Sequence, residues 1–402
     1  MFLPRLFADR LIAASAQFPA IVLTGARQAG KTTLLEACFP KHRYVSLDLP
    51  SLAEQAERDP SAFLRSHAPP LLIDEVQYAP GVFRHIKRAI DGDRDAMGRF
   101  ILTGSQGFAL MAGVSESLAG RVALFELENL ALAELSSAGI AGMSKEEIDW
   151  AALLVRGQFP ELWKRPEIPT SDFHASYLAT YLERDVRQIL KVTNLRDFER
   201  FMRILAARSG QLLNKAEVAK DTGVSPKAIN DWMAVLEASG QIVLLEPWFR
   251  SFNKRIVKTP KIYFRDSGLL CRLLGLDSAS LLVSPFLGAV WETFAFAELR
   301  KLAAVDPRRP RFWYYRDQVA REIDLVVETG GRLNFVEMKW TEAPEPRDWA
   351  TIAKISAELA AARAPEGNGQ HWVISRSPVA GELAPGIRGC SLFEAASVLE
   401  PA

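Results

Sequence analysis

The sequence predicts an α/β protein whose first domain is built on a mainly parallel sheet. In the first third of the chain, short apolar strands alternate with helical patterns, which is typical of such sheets. A glycine-rich loop separates the first of these strands from a helical pattern. With 402 residues, the chain is long enough for several domains of about 100–200 residues each.

The composition is ordinary for a soluble protein, with 49% hydrophobic and 24% charged residues. The net charge of +1 means that any basic surface must be local. Cys38, Cys271 and Cys390 are scattered and have no histidine at metal-ligand spacing, which fits a reducing cytoplasm. The first residues lack the apolar core of a signal peptide, and no apolar run approaches about 18 residues. We therefore expect a cytoplasmic protein without a membrane partner.

The glycine-rich loop carries the most specific motif in the chain. Gly25-Ala-Arg-Gln-Ala-Gly-Lys-Thr-Thr33 fits the pattern G-x-x-x-x-G-K followed by Ser or Thr, between an apolar strand and a helix. Its backbone N–H groups and the helix N-terminus favour bound phosphates. Lys31 would reach the β- and γ-phosphates, and the Thr32 hydroxyl would ligate Mg²⁺. We therefore predict ATP and Mg²⁺ as cofactors, bound by Gly25, Ala26, Arg27, Gln28, Ala29, Gly30, Lys31, Thr32 and Thr33.

Two carboxylates follow the apolar strand 71–73. Asp74 would hold Mg²⁺, and Glu75 would orient and polarise the attacking water, which favours hydrolysis over transfer to a small molecule. An acidic strand end without chemistry is the alternative. The remaining predicted elements of this domain are strands over 44–47, 100–103 and 122–127 and helices over 51–66, with Ser51 as N-cap, and 81–90.

Two further polar groups are catalytic candidates in this domain. Ser105, or less favourably Thr103, could sense the γ-phosphate at the end of the strand 100–103. A helix N-cap is an equally good interpretation of Ser105. Arg121 could act as an arginine finger or as a γ-phosphate sensor, and a solvent-exposed salt bridge is its alternative.

Several segments together resemble AAA-type ATPases, and more narrowly a bacterial and archaeal family that joins such a domain to a C-terminal domain of unknown function. These segments are residues 25–33, 71–77, 102–105, 118–121, 181–186 and 258–266. The resemblance implies an AAA-type P-loop ATPase core over residues 1–125. If Arg121 acts in trans, a homo-oligomer follows.

Residues 126–209 predict a helical lid or connector, with a loop over 161–171 and a helical stretch over 172–209.

Residues 210–250 predict a winged helix. Its first helix starts near Lys215 and ends at Gly223, and Ser225 caps a second helix before the strand 242–245.

DNA is a predicted partner. The alternative is that the winged helix contacts protein and not DNA. Its second helix exposes Lys227 and Asn230, but also Asp231. The run 248–265 favours DNA, since it contains six basic residues, five aromatic residues and no acidic residue. The alternative is that these aromatics are core and the cations form a solvated face.

Residues 251–402 predict a second α/β domain, with a helix over 288–299 and two strands joined at Gly330-Gly331. A two-residue turn there would pair Thr329 with Arg332, so that Asp324 lies opposite Glu337. Opposed carboxylates repel unless a cation or Lys339 sits between them. Asp324 and Glu337 could thus bind Mg²⁺ or Mn²⁺, and Glu292 and Glu322 are candidates for further ligands. Lys339 would stabilise charge on a phosphodiester.

This arrangement resembles the core of restriction-endonuclease-like nucleases, although Arg321-Glu-Ile-Asp324 lacks the proline that some members carry. An active nuclease and an inactive nuclease-like fold both remain open. The first functional hypothesis is an ATP-hydrolysing protein that acts on DNA or is regulated by it. The second is a nucleotide-dependent switch or signalling scaffold whose nuclease-like fold is inactive.

Overall fold

The structure, a computed structural model, describes residues 3–104, 110, 113–114, 116–140, 142–182, 186, 195–248, 259–361, 369–378 and 380–401. The chain forms two compact units. The first comprises Met1–Leu130 with Phe159–Glu161 and Ala238–Gly240, and the second comprises Ala131–Gln158, Leu162–Glu237 and Gln241–Ala402. Within the described ranges, no helix has the length and apolar character needed to cross a membrane.

The first unit contains a five-stranded sheet with the order β2-β3-β4-β1-β5. All of its strand pairs are parallel. The strands are β1 (Ala20–Gly25), β2 (Arg43–Ser46), β3 (Leu71–Asp74), β4 (Phe100–Thr103) and β5 (Val122–Leu127). The parallel sheet confirms the predicted fold class of this region, because parallel strands bring their carboxyl ends to one edge of the sheet.

Helices surround this sheet, and one of them differs from the prediction. They are α1 (Ala8–Ser15), α2 (Lys31–Cys38), α3 (Pro50–Arg58), α4 (Pro60–Ser66) and α5 (Val82–Asp91). The single helix predicted over 51–66 is wrong, because Pro60 has no N–H to continue a helix. Asp59 instead caps α4, accepting a hydrogen bond from Ala62 N at 2.8 Å. Leu49, not Ser51, precedes the first turn of α3.

The middle of the chain is helical, as predicted, but with different boundaries. Its elements are α6 (Leu132–Ser137), α7 (Trp150–Arg156), α8 (Pro160–Lys164), α9 (Thr170–Tyr181) and α10 (Leu195–Ala206). The loop predicted over 161–171 therefore begins inside a short helix. Of the helical stretch predicted over 172–209, residues 183–185 and 187–194 lie outside the described residues.

Two helices and a strand follow at the predicted positions. Asn214 caps α11 (Lys215–Thr222), and Gly223 ends it in the left-handed conformation. Ser225 Oγ accepts a hydrogen bond from Ala228 N at 3.2 Å at the start of α12 (Pro226–Ala238). The strand β6 (Ile242–Leu245) pairs antiparallel with β7 (Lys261–Phe264). This pairing crosses the domain boundary that the sequence suggested after residue 250.

The C-terminal part contains a six-stranded mixed sheet with the order β12-β13-β11-β10-β9-β8. Its strands are β8 (Arg311–Arg316), β9 (Glu322–Thr329), β10 (Arg332–Met338), β11 (His371–Ile374), β12 (Gly381–Ala384) and β13 (Ile387–Cys390). Its helices are α13 (Ser267–Leu274), α14 (Ser278–Leu282), α15 (Leu287–Val305) and α16 (Pro346–Ala361), and a 3₁₀ helix spans Leu392–Leu399. The predicted hairpin register is confirmed, since Arg332 pairs with Thr329 and Val336 with Leu325.

Candidate functional site

The glycine-rich loop leaves the sheet at Gly25, the last residue of β1. A Cβ atom on Gly25 would lie 2.3 Å from the carbonyl oxygen of Leu127 on β5, and its φ is +140°. Gly30 adopts the left-handed conformation with φ +89°, immediately before α2. These positions require glycine because L side chains rarely adopt such backbone angles.

Lys31 is the first residue of α2 and is 7% exposed. Its Nζ donates hydrogen bonds to the carbonyl oxygens of Gly25 at 2.9 Å and of Ala26 at 2.8 Å. The ammonium group therefore lies inside the curl of the loop, beside the N-terminus of a helix. This combination of positive charge and helix dipole favours an anion.

Arg5 holds the loop from the outside, a contact that sequence reasoning missed. Its guanidinium donates to Ala29 O in the loop at 2.8 Å, to Glu128 O at 2.6 Å and to Asn129 O at 3.3 Å. One side chain thus joins the loop to the chain that leaves β5. No local pattern could reveal it, since its partners are 24 to 124 residues away.

Thr32 and Asp74, the two predicted Mg²⁺ ligands, lie together. Thr32 Oγ1 donates to Asp74 Oδ2 at 2.9 Å, and Tyr44 OH donates to the same oxygen at 3.0 Å. Burial raises the pKa of Asp74, although the Thr32 hydrogen bond opposes this shift. Burial and the nearby Asp74 carboxylate raise the pKa of Tyr44 to about 12, so its phenol stays a donor. A hydroxyl and a carboxylate are oxygen ligands of the kind that Mg²⁺ takes.

Glu75 follows directly, with its backbone in the left-handed conformation at φ +53°. Few residues other than glycine occupy this region, and those that do concentrate at functional sites. Its side chain accepts a hydrogen bond from the Gln77 amide. The sequence motif included Gln77, but no role was predicted for it.

The two sensor candidates differ in what the structure describes. Ser105 lies outside the described residues. Thr103 ends β4 and is fully buried, and its hydroxyl has no hydrogen-bond partner among the described residues. Neither sensor role is tested, and both remain predictions.

Arg121 lies at the edge of the sheet opposite the glycine-rich loop. It immediately precedes β5, whose first residue Val122 pairs with Ala20, the first residue of β1. Its guanidinium binds both carboxylate oxygens of Asp91, at 2.8 and 3.0 Å. The loop begins five residues further along β1, about 16 Å away at 3.3 Å per residue. The ion pair with Asp91 is the alternative that the sequence offered, and a role of Arg121 at the phosphates, in cis or in trans, remains a prediction.

The C-terminal hairpin brings the predicted acidic residues and Lys339 together. Lys339 Nζ lies 3.0 Å from Asp324 Oδ2 and 2.6 Å from Glu337 Oε2. Met338 N donates to Asp324 Oδ2 at 2.9 Å. Asp324 is 9% and Glu337 5% exposed, so both carboxyl groups are largely removed from water.

A second lysine, from β7, joins this group. Lys261 is 1% exposed, and its Nζ lies 3.2 Å from Glu292 Oε1 and 2.5 Å from Glu322 Oε1. Tyr263 OH also donates to Glu292. We call the set Lys261, Tyr263, Glu292, Glu322, Asp324, Glu337 and Lys339 the acid–lysine cluster.

The titration of this cluster follows from its burial. Burial and the Asp324 charge raise the pKa of Glu292 to about 7 and raise that of Glu337 well above its usual value. Burial opposes ionisation of Asp324, but the charges of Lys339 and Lys261 lower its pKa to about 2. Burial likewise opposes the charge on Lys261, but the surrounding carboxylates raise its pKa. The two lysines are therefore charged, and Asp324 is more acidic than Glu292 and Glu337.

Lys339 lies between Asp324 and Glu337, which is one of the two arrangements that the sequence left open. Lys261 lies between Glu292 and Glu322 in the same way. In the described part of the chain, no group of three or more His, Cys, Asp or Glu side chains is arranged to hold a metal ion. The arrangement fits ion pairing better than binding of a divalent cation. Nuclease roles for Glu292, Asp324, Glu337 and Lys339 remain untested predictions.

The described end of the basic run 248–265, residues 259–265, does not form the surface for nucleic acid that the sequence suggested. Lys261, Tyr263 and Phe264 are at most 1% exposed, and Arg265 is 8% exposed. A side chain so deeply buried has no surface for a base or a phosphate. Tyr263 and Phe264 are core, as the alternative held, but Lys261 is buried rather than solvated. Residues 249–258 lie outside the described residues.

The parallel sheet, the glycine-rich loop and the Thr32–Asp74 pair define an AAA-type P-loop protein. A family model described as an AAA domain matches residues 17–136. Two models described as domains of unknown function match residues 147–280 (DUF8612) and 287–374 (DUF4143). The predicted AAA-type core followed by a C-terminal domain of unknown function is thus confirmed.

The chain is 34% identical over 363 residues to the uncharacterized protein Rv2008c of Mycobacterium tuberculosis, covering 88% of this chain and 77% of that protein. The uncharacterized protein Mb2031c of Mycobacterium bovis matches with the same figures. The chain therefore belongs to the family of these mycobacterial proteins. A Walker-type ATPase of Pyrococcus abyssi is 14% identical with a TM-score of 0.46, covering 68% of this chain and 96% of that chain. With a TM-score below 0.5, this likeness carries no information on function.

Proposed function

We propose that the chain binds ATP with Mg²⁺ and hydrolyses it in the first unit. The contact between Thr32 Oγ1 and Asp74 Oδ2, at 2.9 Å, carries the proposal. It joins the helix that follows the glycine-rich loop to the carboxyl end of β3, which is the pairing that a nucleotide-bound Mg²⁺ needs. Lys31, beside the loop carbonyls, exchanges these partners for phosphate oxygens when ATP binds.

The residues divide the chemistry among them. When bound, Mg²⁺ neutralises charge on the phosphates, and Thr32 and Asp74 hold it. Glu75 orients a water molecule and accepts its proton as the water oxygen bonds to the γ-phosphorus and the bond to the ADP oxygen breaks. The reaction releases ADP and phosphate. Asp74 contacts Thr32, its proposed partner in holding Mg²⁺, so Glu75 is the better candidate for the base.

Phosphate release from ATP by the wild type and the Glu75→Gln variant tests this proposal. The variant keeps the size of the side chain and removes the base, so we expect kcat to fall by about 10²–10⁴-fold. Binding of a fluorescent ATP analogue in the presence of Mg²⁺ should remain within about twofold. Equal rates in the two proteins would refute the proposed role of Glu75 and hydrolysis at this site.

For the rest of the chain we propose a nucleotide-dependent switch whose nuclease-like fold is inactive. Two observations favour this over action on DNA. The helix-turn-helix segment 213–240 contains three lysines but four acidic residues, whereas DNA-binding surfaces are basic. In the acid–lysine cluster, the carboxylates already contact Lys261 and Lys339.

Two measurements separate this proposal from the DNA hypothesis. The ATPase rate should be the same with and without single- or double-stranded DNA, and strong stimulation would favour DNA as the partner. Incubation of DNA with Mg²⁺ or Mn²⁺ should yield no cleavage above background. Cleavage that the Asp324→Ala variant abolishes would show an active nuclease instead.

A further inference from the structure

Gln77 is a buried polar residue beside Glu75 to which the proposed hydrolysis assigns no role. It lies in the short 3₁₀ turn Val76–Tyr78 that follows β3 and is 7% exposed. Its side-chain amide nitrogen donates a hydrogen bond to Glu75 Oε2. Burying a primary amide costs free energy unless it is hydrogen-bonded. This contact is therefore a reason for a glutamine to be present here.

The other end of the amide touches β4. A Cβ atom on Gly104, the residue after β4, would lie 2.1 Å from Gln77 Oε1. Gly104 does not have the positive φ that would itself require glycine. The Gln77 amide, rather than the backbone, therefore excludes a side chain at position 104. Gln77 Oε1 has no hydrogen-bond partner among the described residues.

The backbone of Glu75 needs such support. At φ +53° and ψ +42° it occupies the left-handed region, which is unfavourable for a residue with a Cβ atom. A carboxylate on a strained turn can rotate away unless a neighbour holds it. Gln77 lies between this carboxylate and the end of β4, so it can fix one relative to the other.

We propose that Gln77 is a positioning residue, which holds the Glu75 carboxylate for attack of water on ATP and relies on the absence of a side chain at Gly104. This inference rests on the proposed ATP hydrolysis and adds the group that orients its base. We expect this positioning to affect the chemical step and not the affinity for nucleotide, because Gln77 donates its hydrogen bond to Glu75, which is not among the proposed phosphate-binding residues.

The experiment compares Gln77→Ala, Gly104→Ala, their combination and Gln77→Ala in a Glu75→Gln background. Gln55→Ala, an exposed glutamine on α3, is the matched control. We expect Gln77→Ala and Gly104→Ala each to lower kcat by about 10–100-fold, as misplaced catalytic groups do. Their affinity for a fluorescent ATP analogue should stay within twofold of the wild type, and the control should match the wild type in both measurements.

The double variants make the inference specific. Gly104→Ala should cause no further loss in the Gln77→Ala protein, since the displaced amide is already absent. Gln77→Ala should likewise add nothing in the Glu75→Gln background. Wild-type rates in Gln77→Ala, or additive losses in either double variant, would overturn the positioning role while hydrolysis through Glu75 stands. A wild type as slow as Glu75→Gln would overturn the proposed hydrolysis and the positioning role together.

Discussion

The P-loop site and the acid–lysine cluster both contain lysines and carboxylates, but their lysines have different partners. Lys31 donates to two main-chain carbonyls, which carry no net charge. Lys261 and Lys339 each contact two carboxylates at 2.5–3.2 Å. A lysine that contacts carbonyls can exchange them for phosphate oxygens at low cost. A lysine that neutralises buried carboxylates leaves uncompensated charges if it moves.

This difference teaches that a motif of acids and a lysine predicts proximity better than activity. Asp324, Glu337 and Lys339 came together as their spacing predicts, yet the contacts among them are those of an ion network. In the P-loop site, the Thr32–Asp74 hydrogen bond joins a hydroxyl to a carboxylate, and both are ligands for one cation. Four predictions test this contrast.

The largest effects come from replacing one lysine in each region. Lys31→Met should weaken binding of an ATP analogue by more than about 100-fold and change the melting temperature little, because its role is to bind phosphate. Lys261→Met should lower the free energy of unfolding by about 3–5 kcal/mol, because it leaves buried carboxylates unpaired. Nucleotide titration and denaturant unfolding measure the two quantities.

The double variant Lys261→Met/Glu292→Gln is the control for this experiment. It removes one of the carboxylates together with its cation and should recover part of the lost stability. A Lys261→Met protein as stable as the wild type would contradict the stabilising role of the acid–lysine cluster.

A smaller effect concerns acid sensitivity, which should arise in the C-terminal sheet. His371 Nδ1 accepts a hydrogen bond from Phe335 N, so the ring is neutral with its proton on Nε2, facing Ser356. Burial lowers the pKa of His371 to about 4. Its contribution to stability is complete above its unfolded pKa of about 6.5 and is lost as the pH falls towards 4, with about 2 kcal/mol lost by pH 5.

Denaturant unfolding of the wild type and of His371→Gln between pH 7.5 and about 5 measures this contribution. The difference in unfolding free energy between the two proteins should shrink as the pH falls, because glutamine does not titrate. A difference that is constant over this range would mean that His371 is not the source of the acid sensitivity.

Arg5→Ala should weaken nucleotide binding by about tenfold, or 1.4 kcal/mol. The guanidinium donates three hydrogen bonds that hold Ala29 against the end of β5, so its loss should loosen the loop without changing the chemical step. Nucleotide affinity and kcat are measured separately. Arg10→Ala, whose guanidinium lies over the Phe125 ring, is the matched control on α1. A change in kcat alone would contradict this role.

The smallest effect is expected at the exposed ion pair between Arg121 and Asp91. Exposed pairs contribute little to stability, and Arg121 lies at the far edge of the sheet. Arg121→Ala and Asp91→Asn should therefore both keep the melting temperature and the ATPase rate of the wild type. A rate that falls only in Arg121→Ala, and only at high protein concentration, would instead show that Arg121 acts on a neighbouring copy.

Local patterns predicted the strands of the first unit and the C-terminal hairpin well. Apolar runs that end in turn residues mark β1, β3 and β4, and such a run can be recognised without knowing which strands it pairs with. The hairpin register followed from Gly330 and Gly331, whose φ values of +61° and +80° suit a two-residue turn. β12 and β13 were missed because each has four residues, includes a glycine and lacks a clear alternation.

Contacts between distant segments were the part that the sequence could not reveal. Lys261 lies 31 residues from Glu292 and shares no local pattern with it. The residue types in a run of cations and aromatics do not show whether its side chains lie on the surface or in a core. Arg5 was missed for the same reason, whereas Gln77 stood within a recognised motif and only its geometry was unknown.

The tight packing at Gly25 determines which variants are useful as nucleotide-free controls. A methyl group there would collide with Leu127 O on the edge strand β5 before it met any phosphate. Loss of activity in a Gly25→Ala protein would therefore mix a displaced strand with a damaged phosphate loop. Gly25 thus allows β1 to pack against β5 and also shapes the phosphate loop. Lys31→Met is the better control, because it removes phosphate binding without disturbing the packing of the strands.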